Sequence, residues 1–503
     1  MQYKLLLGPL LGLESGNYYT VVFVTANSNT AQATTAEVLF NGVAVAAAKI
    51  GAIYSGDVWR AEIQLPPLAA PQHIQYQIQC DGRPFYSQQN VSSWAFYVPA
   101  HSEKPKFAYA SCNGFSDLKL MNTTAEPYRL WQEMAKLHRN SAQQFSLLLL
   151  GGDQLYADSI WTEIKQLQQW NALGLNDKIK RQASAELKKR IQRFYSELYL
   201  SRWNQPQVAD MLASIPSVMM WDDHDIFDGW GSYPQALTDC DVYQAIFAAA
   251  KHHFELLQIR GRQNRCLLAK PNAAGALNHY SMHLQFQSYH ILALDNRSER
   301  SLTQVMSDEN WADVASALGQ CPSGDLLLMT AVPVVYRDFS FAEKVVDSTP
   351  WEEEVTDDLK DHWRAKEHQG ERQKLIMRLL DNARIRNAKT VLLSGDVHVG
   401  CLGVIRDKRE GKLLNMHQVV SSGIVHPAPT YIQWLGILAI TNDNTEYLDE
   451  NKSISADILK PYGANQYIRD RNFVTLQEGT DNKLWVNWII EGKDKPAYPL
   501  SAQ

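Results

Sequence analysis

No run of apolar residues in this 503-residue chain approaches the roughly 20 that a membrane span needs, the longest being interrupted by Gly, Pro or polar residues. A transmembrane segment is therefore not expected. The six cysteines, at 80, 112, 240, 266, 321 and 401, include no C-x-x-C pair. That excludes a disulfide framework or zinc knuckle written into the spacing, and it fits a reducing compartment. Charge of one sign is also scarce: the formal net charge is -6 and no basic stripe occurs, so a nucleic-acid backbone is not expected as a standing partner and small substrates are. Internal repeats and low-complexity tracts are missing. The segment Met1 to Leu13 has one Lys and an apolar stretch, as a signal peptide does, but Gly8-Pro9 interrupts it and no small-x-small cleavage site precedes Glu14. The expected location is the cytoplasm, with export as the alternative.

What is present divides along the chain. Its length suggests two or three domains. Residues 1–100 are poor in charge and rich in Thr, Val, Tyr and Gln. Alternating runs at Tyr19 to Thr25, Thr35 to Phe40, Val58 to Gln64 and Ile74 to Ile78 predict an all-β sandwich of the immunoglobulin or fibronectin kind. The polar, Pro-bearing stretch 101–106 is the expected linker. From Phe107 to the end, apolar strands alternate with helical patterns, which predicts an α/β layer structure over 107–503, with its core motifs in 107–427 and an extension over 428–503. Helices are expected over Tyr128 to His138, Asp177 to Trp203 and Glu371 to Asn387, and strands at Tyr289 to Leu294 and Asp325 to Thr330. Strands at Phe473 to Leu476 and Leu484 to Ile490 would extend the second sheet. The acidic, Trp-containing stretch Val345 to Lys366 reads as an insertion or lid near the site.

Four short segments carry the chemistry. They are Ser111-Cys112-Asn113, Gly152-Asp153-Gln154-Leu155-Tyr156-Ala157-Asp158, Trp221-Asp222-Asp223-His224-Asp225 and Gly395-Asp396-Val397-His398. Each follows a short apolar run, at Phe107 to Ala110, Phe145 to Leu150, Ser217 to Met220 and Val391 to Leu393, of the kind that forms buried parallel strands. Were those strands in one sheet, their carboxyl ends would lie along the edge where open α/β sheets bind ligands. Carboxylates, a thiol and imidazoles gathered there are costly without a cation. Each segment also has a plainer reading: Asp153 as a helix cap with Tyr156 packed, the acids around His224 as a solvated loop, Cys112 as an inert thiol and His398 as a core histidine. Four such coincidences on successive strand ends are less economical than one metal site.

With these motifs in this order, the chain resembles the PhoD-like alkaline phosphatase and phosphodiesterase branch of the metallophosphatase superfamily, over roughly Phe107 to Pro427. The resemblance implies a four-layer αββα sandwich of two mixed sheets flanked by helices, with metals at the strand ends. It implies that Cys112, Asp153, Tyr156 and His398 hold a ferric ion, and that Asp153 bridges to a second, divalent metal with Asp222, Asp223 and Asp396. Calcium is the expected second ion, with zinc, manganese or magnesium as alternatives. Asp223 stands where the wider superfamily has Asn, and Ser111-Cys112-Asn113 where it has Asp-x-His; both departures match the PhoD branch. The stretch Met329 to Val332 lacks the His that many members supply there. The contribution of Asp228 to the second metal stays open.

The expected activity is hydrolysis of a small phosphate ester, monoester or diester, by a metal-held hydroxide. His224 would protonate the leaving alkoxide. Arg297 is a candidate phosphate clamp, with a salt bridge to Asp295 or Glu299 as its other reading. A different class of function, a metal-stabilised scaffold whose N-terminal β domain binds a partner or glycan, would show metal without turnover.

Overall fold

The computed structural model describes residues 3–26, 35–337, 363–460, 466–493 and 496–502. Two sheets form its interior. In the first, Lys106–Ala110, Leu147–Gly151 and Ser217–Met220 run parallel. Asn472–Glu478 pairs antiparallel with Lys106–Ala110 on one flank, and Tyr3–Glu14 joins the other flank with Gly12 opposite Ser217. In the second sheet, Tyr289–Ala293, Asp325–Met329, Thr390–Ser394 and Leu414–Val420 are parallel. The antiparallel strands Met282–Phe286 and Gly400–Asp407 pair with its first and last members.

The parallel strands are continuous Val, Leu, Met and Ala runs because both of their faces are covered. The sheets pack face to face: the ring of Phe107 stands edge-on to Phe286 and Tyr289, with centroids 6.3 and 5.0 Å away. Helix Pro206–Ser214 lies against Tyr3–Glu14, and helix Gln369–Arg386 against Leu414–Val420. This is the four-layer arrangement expected from the sequence, preceded by a strand-rich N-terminal region. Strands Tyr18–Ala26, Ala36–Phe40, Gly56–Gln64 and Gln72–Cys80 contain the alternating runs of that region. Among the described residues no helix is long and apolar enough to cross a membrane.

Three expectations need correction. The strand before the fourth motif, Thr390–Ser394, belongs to the second sheet, so the motifs come from two facing sheets and not from one. Conversely, Asn472–Glu478 and Leu484–Ile490 extend the first sheet rather than the second. Local pattern identifies a strand but carries no information about its neighbour. The helix expected over Asp177 to Trp203 is two, Leu175–Lys180 and Ala185–Trp203, because the Ser184 hydroxyl accepts from the Leu187 amide at 3.1 Å and starts a new helix. Of the acidic stretch Val345 to Lys366, residues through 362 lie outside the described residues. Near its end, Trp363 is fully buried and donates its indole N–H to Thr330 Oγ1 at 3.2 Å.

Candidate metal centre

Register sets the level at which the motifs emerge. Ala110 pairs with Leu150, Leu150 with Met219 and Gly151 with Met220, so three strands of the first sheet end side by side. In the second sheet Leu393 pairs with Met329 and Ser394 with Val420. A parallel bridge between Ser111 and Gly423 ties the two edges together, and the amides of Ile424 and His426 donate to the carbonyls of Ser111 and Cys112 at 3.0 and 3.1 Å. Gly395 fits this seam because it has no side chain: a Cβ there would lie 2.0 Å from Ser111 Oγ.

Just past the strand ends the backbone turns sharply. Cys112, Asp153, Asp396 and His398 all adopt left-handed φ angles, of 52°, 54°, 67° and 51°. Such conformations cost non-glycine residues on the order of 1–3 kcal/mol each and concentrate at functional sites. Here they turn the side chains back toward a common point. Cys112, Asp153 and His398 offer ligand atoms all within 4.8 Å of one another, as do Asp153, Asp222, Asp223 and Asp396. The two groups share Asp153. The Tyr156 hydroxyl lies 3.0 Å from His398 Nε2 and 3.4 Å from Asp153 Oδ2, on the side of the first group. Every metal-binding candidate read from the sequence, Cys112, Asp153, Tyr156, Asp222, Asp223, Asp396 and His398, thus falls in one cluster.

His224 sits at its rim. Its Nδ1 is 2.8 Å from Asp158 Oδ2, its ring stacks on Tyr156 at 4.1 Å, and it forms a further group with Asp153 and Asp223. Asp228 Oδ1 lies 3.9 Å from His224 Nε2, and the Asp228 amide donates to Asp158 at 2.8 Å. Arg297 is fully buried. Its guanidinium contacts Asp222, reaches Asp223 at 3.5 Å and donates to the Trp230 carbonyl at 3.1 Å, while its own amide donates to Asp295 at 3.0 Å. The residue read as a substrate clamp therefore holds two carboxylates of the cluster. Its partners come from a segment 75 residues away, which the neighbouring Asp295 and Glu299 gave no means of foreseeing.

Asp225 faces the other way from Asp222 and Asp223. It accepts from the amides of Asp222, Gln154 and Leu155 and from the Gln258 side chain, at 3.0, 3.3, 3.0 and 2.9 Å. It is the strut that fixes the second motif against the third. Burial lifts its pKa to about 6, and those donors pull against the shift. His426, which sequence reasoning passed over, stacks on His398 at 3.7 Å and on Tyr156 at 5.3 Å. The only signal for it was its place after the strand Leu414–Val420, at the end of Ser421-Ser422-Gly423-Ile424-Val425.

Burial is the largest influence on the titration of Asp153, Cys112 and Tyr156. Burial, followed by the neighbouring Asp222, Asp223 and Asp225, raises the Asp153 carboxyl well above its ordinary value even though His224 opposes it. Burial and Asp153 likewise raise the Cys112 thiol, and burial with Cys112 and Asp153 raises the Tyr156 phenol. Burial and His426 hold His398 neutral. Burial alone would lower His224, but Asp158, Asp223 and Asp153 outweigh it and raise its pKa well above the usual imidazole range. Asp153 Oδ1 is buried with no hydrogen-bond partner. An orphaned carboxylate oxygen shared by two donor groups is what a bridging ligand would leave behind, so the residues fit a pair of cations.

A family model described as "PhoD related phosphatase" matches residues 86–351 and 349–460. The uncharacterized protein YGR266W of Saccharomyces cerevisiae is 28% identical over 427 residues, covering 73% of this chain. The chain spans 58% of the length of that relative. Among solved structures, one described as "Structure of PhoD" superposes with a TM-score of 0.62 at 14% identity, over 100% of this chain and 93% of that one. Purple acid phosphatase PPD1 from yellow lupin (Lupinus luteus) seeds does so with a TM-score of 0.51 at 13% identity, over 98% of this chain and 74% of its own. At these identities the structural likeness concerns the fold.

Proposed function

Because the chain belongs to the PhoD related phosphatase family, we propose that it hydrolyses small phosphate esters at the cluster around Asp153. The observation that carries this reading is the pair of donor groups of different chemistry meeting on one buried carboxylate. Cys112, Asp153, Tyr156 and His398 offer sulfur, nitrogen and phenolic oxygen, a set suited to ferric iron. Asp153, Asp222, Asp223 and Asp396 offer oxygen alone, a set suited to a hard divalent ion such as calcium, magnesium or manganese, with zinc as a further option. Bound there, the cations would acidify water and neutralise the phosphoryl oxygens.

The chain's own residues do the rest. Asp158 fixes His224 through Nδ1, which leaves Nε2 on the side of the cluster. Burial lowers the pKa of that imidazole, but Asp158, Asp223 and Asp153 outweigh it and favour the protonated form, which would deliver the Nε2 proton to a departing alkoxide. Tyr156 holds the ring from below by stacking. Arg297 positions Asp222 and Asp223.

The test pairs metal analysis with a panel of chromogenic phosphomonoesters and phosphodiesters. Asp153→Asn should lose the metal held at this cluster and turnover together, the latter by on the order of 10³-fold or more. His224→Gln should keep the metals and lose about 10²–10⁴-fold in turnover. An Asp153→Asn protein that hydrolyses the panel as fast as the parent sinks the assignment. A fully metal-loaded parent inert toward every ester would favour the scaffold instead.

A further inference from the structure

On the far side of the second sheet from these motifs, the hairpin Met282–Phe286 and Tyr289–Ala293 carries two imidazoles that hydrolysis leaves unused. His283 pairs with Leu292 and His290 with Gln285, so the two histidines lie diagonally across neighbouring strands and share a face. His283 Nε2 is 3.0 Å from His290 Nδ1, and Cys321 Sγ, just beyond helix Asp308–Gly319, is 3.6 Å from the same Nε2. The three donor atoms lie within 4.8 Å of one another and share no residue with the candidate centre.

We propose that His283, His290 and Cys321 form a separate site for a tetrahedral, borderline-soft divalent cation of the zinc class, its fourth position open to the adjacent cleft. Two imidazoles and a thiolate are the donor chemistry that zinc takes and that hard oxygen-seeking ions do not. Metal–nitrogen and metal–sulfur bonds of about 2.0 and 2.3 Å at tetrahedral angles place N and S donors roughly 3.5 Å apart. The sulfur already stands at about that separation from His283 Nε2 and within 4.8 Å of His290 Nδ1, and the two nitrogens need open by only a few tenths of an ångström.

The tautomer is fixed on one ring by its outer contact. His290 Nε2 lies 2.9 Å from the Ser323 carbonyl, which can only accept, so Nε2 carries the hydrogen and Nδ1 presents its lone pair to the cluster. A carbonyl behind a ligating imidazole is the usual way a protein orients one. It follows that His283 Nε2 donates to His290 Nδ1, while the Cys321 thiol lies 3.2 Å from the Ala317 carbonyl. Loading a dication shifts the His283 proton from Nε2 to Nδ1 and releases the thiol proton to solvent, with no change of oxidation state. His283 also lines a cleft of about 440 Å³ with Gln285, Gln287 and His101, which gives the ion access and the fourth position room.

The alternative is an imidazole pair satisfied by its own hydrogen bond. Cobalt(II) distinguishes the two through thiolate-to-metal charge transfer in the near ultraviolet. The full chain carrying Cys112→Ser, stripped by chelator, removes the thiol of the other cluster. Adding cobalt should then produce a thiolate band that disappears in Cys321→Ser and needs at least about tenfold more cobalt in His283→Gln. Absence of the band in the Cys112→Ser protein, or its survival after Cys321→Ser, overturns the site. If Cys321→Ser does not fold, an unchanged titration of His283→Gln overturns it equally. The readout is independent of turnover, so this inference stands or falls apart from the phosphatase reading.

Discussion

Where Tyr3–Glu14 meets Ser217–Met220, the fully buried Glu14 lies 2.9 Å from Arg60 and 3.4 Å from Arg265, and those same arginines reach Glu62 at 2.8 and 2.7 Å. At the ends of the parallel strands, Asp153, Asp222, Asp223 and Asp396 crowd within 4.8 Å, and Asp153 Oδ1 has no partner. Both groups withhold acid from water. In the first, guanidinium answers carboxylate, and the cluster ties the N-terminal strands to the loop that carries Arg260 and Arg265. In the second, four carboxylates converge within 4.8 Å, and burial with the neighbouring acids raises the Asp153 carboxyl well above its ordinary value. Two arginines face Glu14 and Glu62, whereas the four acids around Asp153 share the guanidinium of Arg297, which contacts Asp222 and Asp223, and that excess of acid is what suits a cation.

Several substitutions would break or sharpen that contrast. Arg60→Met should cost about 3–5 kcal/mol in denaturant unfolding, because it leaves Glu14 buried beside fewer counter-charges. Metal content and turnover per folded molecule should not change; if the metals are lost as well, the two regions are not independent. Chelation should act in the opposite sense. Stripping the parent should lower its thermal midpoint, and cations at 100–1,000 times their dissociation constant should restore about 3–4 kcal/mol. Asp153→Asn should remove the share of that response that comes from the centre around Asp153, while Arg60→Met keeps it.

Smaller effects probe the seams. Gly395→Ala would put a methyl 2.0 Å from Ser111 Oγ. It should destabilise by roughly 1–3 kcal/mol and weaken metal binding, as the first and fourth motifs are forced apart. The smallest effect concerns acid. Hydrogen bonding from Arg265, and then from Arg60, against the cost of burial, lowers Glu62 to about 2. Its carboxylate therefore stabilises the fold fully above the ordinary glutamate range and loses that contribution as pH falls toward 2. The difference in thermal midpoint between parent and Glu62→Gln should shrink over that interval; a constant difference would place the Glu62 contribution outside its charge.

How far the sequence was legible varies by residue. Asp153, Cys112 and His398 could be read because each follows a short apolar strand, and strand ends are where parallel layers gather their chemistry. Asp225 was not separable from Asp222 and Asp223, since three acids in one run look alike until the backbone turns one of them toward Gln154 and Leu155. Arg297 was read either as a phosphate clamp or as a partner of Asp295 or Glu299, and its guanidinium contacts Asp222 and Asp223 in a segment its own neighbours did not point to. His426 gave almost no sign, because a histidine six residues beyond a strand acquires meaning only when a second sheet lays it on His398.

The chain order therefore determined by itself which segments would be strands, which residue types would stand at their ends, and that those types suit cations. These follow from hydrophobic periodicity and donor chemistry, which are local. The assignment of Thr390–Ser394 to the opposite sheet, the division of labour among neighbouring aspartates and the pairing of arginines with particular acids were decided in three dimensions. Each depends on left-handed turns and on contacts between segments tens to hundreds of residues apart, and spacing along a chain does not record them.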